Sequence, residues 1–110
     1  MGITKTEEFT EKQNRVANFF KALGHPARIA ILEYLLKVET CICGDIVNEI
    51  NLSQATISQH LKELKQAGII CGSIEGNSIC YCIEESSIQK IQEYLENISM
   101  RLSKQKKKLC

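Results

Sequence analysis

The stretch Ser53–Gly68, which reads SQATISQHLKELKQAG, decides the fold of this chain. It begins with a serine, a common N-cap of helices, and it closes with a glycine, which commonly ends them. One narrow apolar stripe recurs at helical spacing and is formed by Ile57, Leu61 and Leu64. The stretch therefore predicts an amphipathic helix that packs on a core through this stripe.

The opposite face of this helix has the pattern of a DNA-reading surface. It carries Ala55, Gln59, Lys62 and Gln66, with Ser58 beside them. A helix in the major groove places small groups and amides at base edges and lysines near phosphates, which is the order found along this face. The alternative is an ordinary amphipathic helix with a solvated polar face, and the flanking sequence decides between the two.

The residues before this stretch predict three further helices. A capping-box pattern at Thr10 and Gln13 opens a first helix over about residues 11–22. A Gly-His-Pro break separates it from a second, strongly apolar helix. A short third helix is predicted within Cys41–Ile50, and residues 51–53 turn the chain into the quoted stretch. Two short helices joined by so tight a turn predict a helix-turn-helix.

The hydrophobic period changes from helical to two after the quoted stretch. Residues 69–74 and 79–83 predict two strands rich in β-branched residues, around a turn at residues 75–78. If the hairpin closes at Gly76-Asn77, the numbers of paired residues sum to 153. A hairpin directly after such a helix is typical of the wing of a winged helix.

A last helix is predicted from Glu84 onward. Its apolar residues step by three and four and form a heptad seam: Ile88, Ile91, Leu95, Ile98 and Leu102. The seam either packs on the core of its own chain or pairs with a second copy. A chain of 110 residues is near the size at which pairing helps, so we expect a second copy, with the first helix as the companion surface.

The composition indicates one globular domain that stays in the cytoplasm. We expect a core over about residues 10–84, a dimerisation helix over about 85–103 and a basic tail over 104–110. The sequence is 44% hydrophobic and 25% charged, has no apolar run of membrane-spanning length, and begins unlike a signal peptide. The six cysteines are therefore expected to be mostly reduced.

The net charge of +1 does not by itself favour nucleic-acid binding. Five of the 14 basic residues lie within residues 101–110, which leaves 9 basic and 13 acidic residues in the first 100. A DNA-binding face must therefore come from local segregation of charge.

These patterns together resemble the ArsR/SmtB family of bacterial winged-helix repressors. Four ordered blocks carry the resemblance: Phe20–Leu32 (FKALGHPARIAIL), Leu52–Leu64 (LSQATISQHLKEL), Ala67–Ile70 (AGII), and the wing residues Glu75, Gly76 and Tyr81. The resemblance implies a homodimeric repressor with its first and last helices at the dimer interface. It also implies binding to a palindromic operator and release by an inducer.

The predicted fold is a mainly α (α+β) winged helix-turn-helix with the order helix-helix-helix-helix-strand-strand-helix. It has a three-helix core, a hairpin wing and a terminal dimerisation helix. The resemblance implies that base edges are contacted by Gln54, Ala55, Ser58 and Gln59, and phosphates by Thr56 and Lys62. His60 lies nearer the apolar stripe, so a buried hydrogen-bonding role is favoured over a DNA contact.

Cys41 and Cys43 are candidate ligands for a thiophilic metal or metalloid ion. Many members of the resembled family sense such ions, some of them through a Cys-x-Cys-Asp-Leu-Cys motif on the third helix. With Asp45 aligned to the motif, its cysteines fall on Ile42, Gly44 and Val47. The pair is thus one residue out of register, and its alternative role is that of small buried hydrophobic residues. The family's other zinc site needs histidines on the last helix, which has none.

The wing holds a second candidate site, a thiol cluster of Cys71, Cys80 and Cys82. The predicted register places Cys71 directly across from Cys82 and diagonal to Cys80, on one face of the hairpin. Three thiols on one face can bind a soft metal or metalloid or respond to oxidants. The alternative is a cysteine cluster without a function.

Other classes of function follow less well from the sequence. No nucleophile–base pair, paired carboxylate site or phosphate-binding loop is present, so we expect no enzyme. A thiol-redox or metal-binding protein, or a protein-interaction module, on a winged-helix scaffold stays open as the alternative. Specific operator binding with a steep salt dependence would exclude that alternative.

Overall fold

The computed structural model describes residues 8–38, 42–43, 50–75 and 78–105. The elements in chain order are helices α1 (Glu11–Leu23) and α2 (Pro26–Val38), strand β1 (Ile42–Cys43), helix α3 (Gln54–Gln66), strands β2 (Ile70–Glu75) and β3 (Ser78–Ile83), and helix α4 (Glu85–Gln105). Together they form a winged helix, in which α3 leads directly into the hairpin.

Helix α1 begins at the capping box predicted from the sequence. The Thr10 hydroxyl accepts a hydrogen bond from the Gln13 backbone N–H, and the Gln13 side chain accepts one from the Thr10 backbone N–H, each at 3.0 Å. These two bonds satisfy two backbone donors that have no partner within the helix. The start of α1 is therefore fixed by its local sequence.

Helix α3 has the boundaries that the quoted stretch predicts. The Ser53 hydroxyl accepts a hydrogen bond from the Thr56 backbone N–H at 3.3 Å, which caps the helix start. Beyond the C-cap, Gly68 has a φ of +79°, a conformation that residues with a Cβ rarely adopt. The glycine thus lets the chain reverse from α3 into β2.

The hairpin has the predicted register. Cys71 lies opposite Cys82 and Gly72 opposite Tyr81, and every pair from Ile70 to Glu75 sums to 153. The sheet is antiparallel throughout and has the order β1-β3-β2.

Strand β1 corrects the start of the segment Cys41–Ile50, within which a short third helix is predicted. Ile42 pairs with Tyr81 and Cys43 with Cys80, so these two residues extend the sheet instead of starting a helix. The physical reason is that the free edge of β3 offers backbone groups that β1 satisfies, a long-range effect that local periodicity does not contain. The rest of the predicted third helix falls on residues 44–49, which lie outside the described residues.

The core contains the whole apolar stripe of α3. Its buried members come from α1, α2, α3 and the start of β2: Phe19, Ala22, Ile31, Leu35, Ile57, Leu61, Leu64, Ile69 and Ile70. Burying each large aliphatic side chain contributes about 1.5–3 kcal/mol. This stripe therefore fixes which side of α3 faces outward.

Helix α4 leaves most of its seam exposed. Ile91 packs against the core, and Tyr94 meets the Phe20 ring edge-on with centroids 6.3 Å apart. Further along, Leu95 and Leu102 are 47% and 60% exposed. Within the described residues, the second half of the seam has no apolar cover from its own chain.

Candidate nucleic-acid interface

Helix α3 carries all six residues that the resemblance implies for DNA contact. Each of them is exposed: Gln54, Ala55, Thr56, Ser58, Gln59 and Lys62. The stripe on the other side is buried, with Ile57 at 1% and Leu64 at 0% exposure. Burial of one side therefore presents the polar side as a continuous surface.

Local hydrogen bonds order this surface before any ligand binds. The Ser53 hydroxyl donates to the Thr56 hydroxyl oxygen at 2.9 Å. The Gln59 side-chain amide donates to a Glu63 carboxylate oxygen at 2.9 Å, one turn along the helix. The start of α3 also carries the partial positive charge of a helix N-terminus, which favours a phosphate nearby.

A partly buried bridge of hydrogen bonds holds α3 onto α2. Arg28 Nε donates to His60 Nδ1 at 3.0 Å, and Arg28 Nη1 donates to the Ala22 carbonyl oxygen at 3.1 Å. The His60 side chain is 8% exposed, in agreement with the buried hydrogen-bonding role favoured from the sequence. One guanidinium thus joins the end of α1, the start of α2 and the middle of α3.

The environment of His60 keeps its imidazole neutral. Burial is the main cause that lowers the pKa of His60, and the nearby His25 and Arg28 lower it further, against a smaller opposing effect of Glu63. The His25 ring lies 4.5 Å from the His60 ring, centroid to centroid. Because His60 Nδ1 accepts the Arg28 hydrogen bond, the neutral imidazole carries its proton on Nε2.

Sequence reasoning missed the role of Arg28. A signal was present, because Arg28 is the only charged residue in the segment ARIAIL at the start of an apolar helix. A cation in such a segment needs a buried or half-buried partner. Its partner, however, lies 32 positions along the chain, and only the packing of α2 against α3 identifies it.

The wing cysteines share the predicted face but are not three thiols. Cys71 is exposed and free, and its Sγ donates to the Cys82 carbonyl oxygen at 3.6 Å. Cys80 and Cys82 are both disulfide-bonded, so the expectation of mostly reduced cysteines does not hold for these two. In the part of the chain that the structure describes, no group of three His, Cys, Asp or Glu residues could hold a metal ion.

The candidate metal pair, Cys41 and Cys43, falls only partly on described residues. Cys41 lies outside the described residues, and for Cys43 the structure describes the backbone position alone, directly opposite Cys80.

As for membrane insertion, none of the helices within the described ranges is both long and apolar enough to span a bilayer.

Comparison with known proteins places the chain among transcriptional regulators. Residues 25–71 match the model of the arsR family of bacterial regulatory proteins. The chain is 36% identical over 89 residues to an HTH-type transcriptional regulator of Methanocaldococcus jannaschii, with 80% of this chain and 99% of the relative covered. It is 35% identical over 94 residues to a homolog of the cadmium resistance transcriptional regulatory protein CadC of Staphylococcus aureus, covering 83% and 77% of the two chains. The transcriptional repressor SdpR of Bacillus subtilis is 38% identical over 80 residues, with 73% and 88% covered.

Solved structures share the fold. An ArsR-like transcriptional regulator from Rhodococcus sp. RHA1 superposes with a TM-score of 0.75 at 22% identity, over 87% of this chain and 90% of that one. NolR from Sinorhizobium fredii superposes with a TM-score of 0.63 at 29% identity, over 89% and 96% of the two chains.

Proposed function

We propose that this chain, which belongs to the arsR family of bacterial regulatory proteins, is a homodimeric repressor that leaves a palindromic operator on a chemical signal. It is a DNA-binding transcriptional regulator and not an enzyme. The operator, the dimer and the signal are the parts that we propose. As a regulator of transcription it would act in the cytoplasm, where bacterial DNA is found.

The observation that carries the proposal is the division of α3 into a buried apolar side and an exposed polar side. We assign base-edge contacts to Gln54, Ala55, Ser58 and Gln59, and phosphate contacts to Thr56 and Lys62. The amide of Gln59 is suited to an adenine edge, and the ammonium of Lys62 to a phosphate. The Arg28–His60 bridge supports the assignment, because it fixes the rotation of α3 relative to α2.

Dimerisation is proposed through α1 and α4. Exposed apolar side chains lie on both helices: Phe20, Leu95, Ile98, Met100 and Leu102. An apolar surface of this kind on a regular helix is typical of a protein–protein interface. A two-fold dimer would bury the same surface of both copies and would present two α3 helices to the two halves of a palindrome.

Fluorescence anisotropy with DNA from immediately upstream of the gene tests the repressor. Gln59→Ala should weaken specific binding by about tenfold, since a well-placed amide–base contact discriminates by about 1–3 kcal/mol. Lys62→Gln should weaken binding to all sequences and lower the salt slope by about 1. The matched control Gln89→Ala changes an exposed glutamine of α4 and should bind as the unmodified chain does.

The two sets of outcomes separate the repressor from its alternative. If the unmodified chain shows no operator binding at either of two salt concentrations, the proposal of a repressor is wrong and a protein-interaction module is favoured. If Gln89→Ala weakens binding as much as Gln59→Ala does, α3 is not the reading surface.

We propose further that the signal acts on thiols. The exposed thiol of Cys71 lies directly opposite Cys82, and Cys82 is already disulfide-bonded, so the wing contains sulfur in both oxidation states. The candidate ligands are the pair Cys41 and Cys43 and the wing set Cys71, Cys80 and Cys82, of which Cys80 and Cys82 could act as ligands only after reduction of their disulfide bonds. The cadmium-resistance regulator among the relatives supports a thiophilic metal or metalloid as one form of this signal.

The same anisotropy assay, repeated with arsenite, zinc and a mild oxidant, tests the signal. We expect one additive to release the DNA and Cys71→Ser or Cys41→Ser to abolish that response. Binding that none of the three additives changes would refute the thiol signal and leave the repressor in place.

A further inference from the structure

An open cleft of about 650 Å³ lies between α1, the α1–α2 turn and the second half of α3. Its size is within the range of small-molecule sites, roughly 300–1,000 Å³. The lining includes none of the six residues assigned to DNA contact. Phe19 and Ala22, which belong to the buried core, contribute apolar surface to it. The cleft therefore borders the outer face of α3 at Gln66 but includes none of the six residues to which we assign DNA contacts.

The charges around the cleft are predominantly positive. Arg15 and Lys21 of α1 and Arg28 of α2 line it, against the single carboxylate of Glu63. That carboxylate already accepts the hydrogen bond from the Gln59 amide. Three cations thus converge on one concave surface, where the walls exclude part of the solvent that would screen them.

The hydrogen-bonding groups of the cleft are mostly donors. Arg28 is held in one orientation by its bonds to His60 Nδ1 and to the Ala22 carbonyl oxygen, which use two of its five N–H groups. His25 Nδ1 accepts from the Ala27 backbone N–H at 3.0 Å, so a neutral His25 carries its own proton on Nε2. A pre-oriented guanidinium and an imidazole N–H are suited to a planar or tetrahedral group of acceptor oxygens.

We infer that this cleft binds a small organic oxyanion, a solute that carries a carboxylate or phosphate group. The oxyanion accepts hydrogen bonds from Arg28 and His25 and lies within the field of Arg15 and Lys21. The apolar part of the solute contacts Phe19 and Ala22. Because Arg28 also holds His60, the bound anion stabilises the seating of α3 on α2.

A backbone phosphate of DNA could supply the same chemistry. The free solute is favoured because the cleft and the six DNA-contact residues do not overlap. The two sources differ in what a charge removal does to DNA binding, and the experiment uses that difference.

Inorganic phosphate is the probe, titrated at constant ionic strength into the ¹⁵N-labelled full chain and followed by NMR. We expect saturable shifts of the backbone amides of His25 and Arg28. Lys21→Gln and Arg15→Gln should each raise the dissociation constant for phosphate by about tenfold, since each removes one of the positive charges whose field attracts the anion. Lys37→Gln is the matched control, because it removes an exposed lysine from the last turn of α2, away from the cleft.

Two results would contradict the proposed oxyanion site. Shifts that never saturate would show that phosphate only screens charge, and equal weakening by Lys37→Gln and Lys21→Gln would show a diffuse field without a site. All three substitutions are at exposed positions, so loss of fold is not expected to complicate them.

The source of the oxyanion is decided by DNA binding in the absence of phosphate. We expect Lys21→Gln to bind operator DNA as the unmodified chain does. A loss of DNA affinity together with a salt slope lowered by about 1 would overturn the free-solute assignment in favour of the DNA backbone. If the unmodified chain bound no DNA, the repressor would be wrong, while the phosphate titration would still report on the cleft.

Discussion

Helices α3 and α4 carry similar apolar stripes and use them in opposite ways. In α3 the stripe is buried in the core of its own chain, and Leu64 has no exposed surface. In α4 the stripe continues past the core, and Leu102 keeps 60% of its surface exposed. Helical periodicity therefore identifies a face that needs a packing partner, but the rest of the fold sets which surface that partner is. For α3 it is the same chain, and for α4 we propose a second copy.

The largest effect is expected when a buried side chain of the α3 stripe is removed. Leu64→Ala should lower the free energy of unfolding by about 2–5 kcal/mol, because it leaves a cavity in a packed core. Urea denaturation followed by circular dichroism measures the change. Leu102→Ala, the matched substitution on α4, should cost far less at a protein concentration where the chain is monomeric. Equal losses in the two variants under those conditions would contradict the contrast between the helices.

The second prediction concerns the exposed part of the α4 stripe, through which we propose that two copies pair. Leu95→Glu places a like charge on both copies across the proposed interface, and such contacts cost several kcal/mol. We expect the dimer dissociation constant to rise by about 100-fold, measured by analytical ultracentrifugation. Gln89→Glu adds the same charge to α4 at an exposed position outside the seam and should leave dimerisation unchanged. A chain that sediments as a monomer before any substitution would refute the interface.

The smallest expected effect concerns the bridge that holds α3. Folding lowers the pKa of His60 below its ordinary value of 6.5, so the unfolded chain binds the proton more readily. The stabilisation from neutral His60 is therefore complete above pH 6.5 and is lost as the pH falls from there through the lower folded-state pKa. One proton limits the slope to about 1.4 kcal/mol per pH unit.

The variant His60→Asn isolates this contribution. The asparagine amide oxygen can still accept a hydrogen bond from Arg28, but the side chain does not titrate. The free energy of unfolding of this variant should therefore depend less on pH, from pH 7.5 down through the folded-state pKa of His60. His25, Arg28 and Glu63 are the other ionisable groups that influence His60, and they remain in both chains. Denaturant unfolding at a series of pH values gives the two profiles. If the profiles run parallel, protonation of His60 does not affect the docking of α3.

Features that depend on near neighbours in the chain could be predicted. The capping box of α1, the limits of α3, and the register of the β2–β3 hairpin follow from side chains three or four positions apart and from a two-residue turn. The buried or exposed side of α3 followed as well, because three apolar residues at helical spacing leave only one face to pack. Periodicity identified four of the six candidate DNA contacts, and the resemblance added Gln54 and Thr56 and implied the roles of all six.

Features that depend on distant parts of the chain could not be predicted. Ile42 and Cys43 have no strand pattern of their own, and they form β1 because the edge of β3 was available to pair. The partner of His60 lies on another helix, and the oxidised state of Cys80 and Cys82 depends on which cysteines the fold brings together.

By itself, then, the sequence determined the family, the helix that we propose reads DNA, and the register of the wing. Each of these is encoded by short-range spacing, where backbone geometry converts residue number directly into direction. Only the tertiary structure decided that Arg28 ties α2 to α3, that a basic cleft lies between α1 and the second half of α3, and that the second half of the α4 seam stays exposed. These depend on the distances between elements, which the packing of the whole chain sets and no local pattern records.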